Sequence, residues 1–132
     1  MQALLGPFRG TLYAILRGAA GLLFACHGAQ KLLGWFGGSP MEPPLLYVAG
    51  AIELVGGLMV GAGLFTSYAA FLCSGMMAVA YFMVHQGKGL LPIMNHGELA
   101  ALYAWLFLFI AATGSGPISI DAARGGSDEV PR

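Results

Sequence analysis

The sequence predicts an all-α integral membrane protein, a bundle of four transmembrane helices. Of its 132 residues, 58% are hydrophobic and only 9% charged, whereas a soluble domain carries about 25% charged residues. Mean hydropathy is +0.76, and the apolar residues gather into four runs of near-spanning length. So little charge cannot cover a water-facing surface, and lipid is the solvent that explains the composition. The length suits one domain. A formal net charge of zero gives no electrostatic case for a nucleic-acid partner.

The first run, residues 11–33, is long enough for a hydrocarbon core of about 30 Å, although Arg17, His27 and Lys31 interrupt it. A signal peptide is the competing reading. An arginine divides the apolar run, however, and the polar face continues to Lys31, so a retained helix is expected. The connection GWFGGSPMEPP ends the helix with its glycines and prolines, and Trp35 and Phe36 suit a membrane interface. The second run, 45–65, is broken only by Glu53. A very short turn around Thr66 and Ser67 leads to the third, 68–86, so these two are antiparallel neighbours. The fourth, 92–113, opens on Pro92, acceptable in a first helical turn, and ends at Gly114. Residues 1–116 thus make up the transmembrane domain and 117–132 a polar tail, expected to fray beyond Asp121.

Four spans place both termini on one side. That side carries Arg9, Arg124 and Arg132 against Lys31 and Lys88 in the opposite loops, so the positive-inside rule puts the termini in the cytoplasm. Cys26 and Cys73 lack a CxxC spacing and fall at depths roughly 10 Å apart. They are read as small buried apolar residues rather than a disulfide.

An ionisable residue at the centre of a span costs about 2.5–3.5 kcal/mol on translocon scales and usually faces the bundle interior. On the first helix Arg17, Gly21, Phe24, Gly28 and Lys31 fall on one stripe, with His27 at its border. The glycines let a neighbouring helix come close. Gly57 and Gly61 on the second helix form a GxxxG pattern that suits packing within the bundle or between protomers. Counted at 1.5 Å per residue, His27, Glu53 and Glu98 lie about 9–12 Å in from the non-cytoplasmic end, in one layer. With Lys31 they define a candidate polar pocket. Arg17, His85 and His96 are candidate rim or support residues. Two other readings stand beside it: structural ion pairing, with Lys31 or Arg17 against Glu53 and Glu98 against His27, and a metal site. The expectation is no metal, because no HxxxH or ExxH motif is present.

The ordered set Arg17-x₃-Gly21-x₂-Phe24-x₂-His27-Gly28-x₂-Lys31, Glu53-x₂-Gly56-Gly57, Gly63-x₂-Thr66, Gly97-Glu98-Leu99 and Gly114-x-Gly116-x₂-Ser119-Ile120-Asp121 resembles the DoxX family of small bacterial membrane proteins. Ile120 stands where leucine is common. The resemblance implies a bacterial plasma (inner) membrane, multiple spans and a link to respiratory redox chemistry. Relatives include a subunit of a thiosulfate:quinone oxidoreductase and a membrane partner in an assembly that handles oxidative stress.

The chain carries no flavin or nicotinamide fingerprint and no cysteine set for an iron–sulfur cluster. The leading expectation is therefore a subunit of a quinone-linked oxidoreductase system rather than a complete enzyme. Its polar pocket would receive a quinone head group. The expected partners are the lipid bilayer, a soluble or membrane oxidoreductase subunit, and a second copy of the chain. The alternatives are a non-enzymatic anchor or scaffold for a soluble redox partner, and a small-solute or proton carrier.

Overall fold

The computed structural model describes residues 2–38 and 44–125. The centre of the first loop, Arg132 and the rest of the tail beyond Gly125 lie outside the described residues. Among the described residues every regular element is helical: α1 (Gln2–Leu33), α2 (Pro44–Ala62), α3 (Thr66–Lys88), α4 (Pro92–Asn95), α5 (Glu98–Thr113) and α6 (Ile120–Ala123). Helices α1, α2 and α3 are each long and apolar enough to cross a membrane, whereas α5 has 16 residues.

Local chemistry sets these boundaries. Helix α1 starts nine residues before the predicted 11, through a 3₁₀ turn at Gly6–Phe8 that accommodates Pro7 near its N-terminus. It stops at Gly34, whose φ of 67° gives the left-handed C-terminal cap that glycine adopts without steric cost. Helix α2 opens on Pro44 and ends at Gly63, with φ 74°. The turn to α3 is therefore 63–65, and Thr66 is already helical. The sequence reading put this turn at Thr66 and Ser67. Leu64 and Phe65 are apolar enough to hide it from hydropathy, and Phe65 takes a left-handed φ of 46° that a side chain of its kind rarely adopts.

The fourth predicted segment, 92–113, is not one helix. It breaks at His96, with φ 58°, and Gly97 before α5 begins. Asn95 causes the break. Its buried amide donates to the Gly89 carbonyl (2.9 Å) and the Tyr81 hydroxyl (3.1 Å), and its Oδ1 accepts the Gly97 N–H (2.8 Å). A short amide side chain that captures nearby backbone groups competes with the helix ladder.

Two interfaces build the core. Helix α1 lies against α2 with backbone touching backbone: a methyl group on Gly28 would sit 2.6 Å from the Gly50 carbonyl oxygen, and one on Gly57 2.6 Å from that of Gly21. Gly57 of the GxxxG pair thus serves packing within the bundle. Helix α3 packs along α5. Between the two pairs, Phe24, Val60, Cys73, Phe107 and Ile110 are fully buried. The outside is apolar as well, with Leu22, Leu23, Phe71, Leu72 and Phe109 exposed, whereas Arg17, Glu53, Thr66, Ser74, Asn95 and Ser115 are buried. This inside-out polarity is that of a chain solvated by lipid. Cys26 and Cys73 are free thiols.

Candidate functional site

Lys31 and Glu53 meet between α1 and α2, where the glycine contact brings the two backbones close. The Lys31 ammonium donates to Oε1 of Glu53 and forms a salt bridge with it. The Glu53 side chain is only 3% exposed, that of Lys31 26%. The pair therefore joins a buried carboxylate to a cation that reaches the surface. Glu53 lies in a widened π-helical turn, Ile52–Gly56, within α2; such turns recur at functional sites. Among the described residues its second oxygen, Oε2, is buried and has no hydrogen-bond partner. A buried charged oxygen left unpaired is costly, and it can accept a proton or a donor group from a ligand.

The Cys73 Sγ lies 3.9 Å from the Ile52 carbonyl oxygen at the start of that turn, and aromatic rings fill the neighbouring core. The His27 ring stands edge-on to Tyr103, with centroids 6.5 Å apart. Tyr103 also packs on Phe24 (5.1 Å) and stacks on Phe107 (5.4 Å). Tyr103 is the residue that the sequence reading missed. A phenol within an otherwise apolar span was the available signal.

Glu98, expected in this layer, is not buried. It is exposed as the first residue of α5, where a carboxylate favours the positive end of the helix dipole. Its depth had been counted along a continuous helix from Pro92, and the break at His96 invalidates that count. His85 belongs to the Asn95 network through Nδ1 and the Asn95 carbonyl (3.1 Å), with its ring stacked on Tyr81. His96 is the exposed left-handed residue at the break.

Arg17 does not reach Glu53 either. It is 2% exposed and sits near the middle of α1, level with the last turn of α2, about 21 Å from Lys31 at 1.5 Å per residue. One Nη donates to the Val60 carbonyl and, at 2.9 Å, to that of Gly61; the other donates to the Ile118 carbonyl at 2.7 Å. Val60 and Gly61 belong to the last turn of α2, where free carbonyls and the negative end of the dipole welcome a cation.

The tail completes this clasp. The Asp121 N–H donates to the Gly63 carbonyl (2.9 Å). Its carboxylate accepts the Phe65 N–H (2.9 Å), the Thr66 N–H and the Thr66 hydroxyl (both 3.0 Å). The Ser119 hydroxyl donates to the Gly116 carbonyl and caps α6 by accepting the Ala122 N–H, and the Tyr13 hydroxyl donates to the Gly114 carbonyl. Residues 117–125 of the predicted tail are thus folded against the start of α3 and against Arg17 in the middle of α1.

Asp121 supplies from a distance the cap that α3 lacks locally. Burial pushes its carboxyl up, but the hydrogen bonds from Thr66 and Phe65 and the nearby Arg124 outweigh this and hold it below the usual aspartate value. A group whose pKa falls on folding stabilises the fold above its unfolded pKa, about 3.9, and that contribution is lost as pH drops through the folded value. Asp121→Asn should therefore lower the melting temperature at neutral pH. The gap from wild type should close below about pH 4. Melting curves in detergent across that range measure it, and a gap independent of pH would refute the capping role.

The fold and site define an all-helical multi-pass membrane protein with a buried lysine–glutamate pair near one end and an arginine clasp at the other. The chain belongs to the DoxX family, whose model matches residues 12–86. It is 42% identical over 125 residues to an uncharacterised protein of Haemophilus influenzae (strain Rd), covering 89% of this chain and 93% of that one. It is 32% identical over 118 residues to a Bacillus subtilis (strain 168) protein provisionally named oxidoreductase CatD, covering 85% and 84%. No solved structure matches the chain.

Proposed function

We propose that this protein is the membrane subunit of an oxidoreductase system and that the Lys31–Glu53 layer receives a quinone head group. The observation that carries the reading is Glu53 itself, a buried carboxylate with one oxygen held by Lys31 and the other without a partner among the described residues. Reducing a quinone consumes protons, and a buried carboxyl beside a lysine is suited to supply them. Lys31 would orient the carboxylate, Tyr103 and His27 would flank the ring, and Glu53 would hold or yield the proton. Electrons would come from a soluble or membrane partner, in keeping with the name of the Bacillus relative. The proposed setting is the bacterial plasma (inner) membrane, crossed four times with both termini cytoplasmic. Helix α5 extends only about 24 Å, so α4 and the Asn95 turn would complete its crossing.

The competing reading is that Lys31 and Glu53 only hold α1 to α2, and their close ion pair favours it. One experiment separates the two. Glu53→Gln keeps shape and hydrogen bonding but cannot titrate. It should leave the melting temperature near that of wild type while lowering partner-dependent turnover by about 10²-fold or more. Quinone extracted from the purified protein should fall in parallel. A destabilised Glu53→Gln protein with full quinone content and turnover would establish pairing alone.

A further inference from the structure

We infer that Glu53 exchanges its proton with one face of the membrane only, the face at the Gly34 end of α1, and that Lys31 is the relay. This rests on reading Glu53 as a proton-exchanging group; the sidedness and the relay are additional to it.

Lys31 on α1 holds the Glu53 carboxylate, the Cys73 thiol on α3 lies against its helical turn, and His27 and Tyr103 pair edge-on in the neighbouring core. Of these, Lys31 touches the carboxylate and also reaches the surface, with its side chain 26% exposed. It sits in the last turn of α1, about 5 Å along the axis from Gly34. The opposite direction is closed. Phe24, Tyr103 and Phe107 pack ring against ring, with Phe24 and Phe107 centroids 4.7 Å apart, and Val60 and Ile110 fill the same core with no exposure. Beyond that seal stands Arg17, a buried cation committed to three carbonyls. Its charge opposes the passage of a proton.

The exchange balances as follows. The Lys31 ammonium passes a proton to Oε1 of Glu53, leaving a neutral amine and a neutral acid, a pair that low dielectric tolerates. Water at the Gly34 face reprotonates the amine. A half-turn of the carboxyl presents its proton on the side that Oε2 had occupied, and its loss to the quinone undergoing reduction, whose electrons the oxidoreductase partner supplies, restores the carboxylate.

The test is carbodiimide labelling in sealed phosphatidylcholine vesicles holding the full chain. Dicyclohexylcarbodiimide modifies protonated carboxyls in apolar surroundings, and the adduct is read by mass on the peptide containing Glu53. Impermeant maleimide on a Ser127→Cys variant scores orientation, and Glu53→Gln sets the background. Acidifying only the Gly34 face should raise wild-type labelling several-fold, and acidifying only the Arg17 face should leave it unchanged. In Lys31→Met the carboxyl loses its counter-ion and should label strongly whichever face is acid. Labelling that follows the Arg17 face, or both faces equally, would overturn the sidedness and leave the proton-exchange reading intact. No labelling in either protein at any pH would overturn both.

Discussion

Arg17→Met should be among the most damaging single changes in the protein, costing about 1–3 kcal/mol for each buried carbonyl that it leaves without a donor. The substitution keeps an apolar stem of similar length but removes every donor. The Gly61 and Ile118 carbonyls lose the guanidinium, and that of Val60 keeps only the Gly63 N–H. Arg17→Lys should recover only part of this, because one compact ammonium cannot span carbonyls from two segments as a guanidinium does. Thermal unfolding in detergent gives the magnitude. Limited proteolysis gives the location, since cleavage near Arg124 should accelerate before the helices become accessible. A variant that melts with wild type would show that the clasp contributes nothing.

A comparably large effect is expected between the two members of the GxxxG pair. Gly57→Ala should cost about 1–3 kcal/mol, as overpacking does, and should shift α1 away from α2. Its new methyl would lie 2.6 Å from the Gly21 carbonyl oxygen and 2.7 Å from the Ala25 nitrogen, both backbone atoms that cannot rotate away. Gly61→Ala meets its nearest neighbour at 3.7 Å. It should be neutral or slightly stabilising, because alanine is the better helix former. Melting temperatures of the two variants, measured side by side, decide the matter. Equal effects would mean that the helix contact is not as close as described.

The helical class and the Lys31–Glu53 partnership were legible because both follow from simple periodicity. Lys31 lies on the glycine stripe of α1, and the residues that bring α2 near it are on the same face. Glu98 was misplaced for a reason that hydropathy cannot register. His96 takes a left-handed conformation because the Asn95 amide captures the Gly97 N–H, and every depth counted through that point is void. Tyr103 was passed over because a phenol in an apolar run weighs little on any hydropathy scale. Arg17 illustrates a different limit. Its motif partners Gly63, Thr66, Ser119 and Asp121 were all visible, but a sequence does not reveal that an arginine will choose carbonyls over a carboxylate. That choice depends on where α2 ends, and Gly63 decides it through its backbone.

The clasp also imposes an order of events on biosynthesis. The guanidinium of Arg17 enters the membrane with the first helix, yet the Ile118 carbonyl that it binds is 101 residues further along the chain. Until that segment leaves the ribosome, the first helix carries a charge whose docking site is unfinished. Closing so long a loop is slow compared with forming the helices themselves. Until then α1 is only loosely seated, and the arrival of the Ile118–Asp121 segment locks it in place. In this protein a segment made late decides when the first helix is secured.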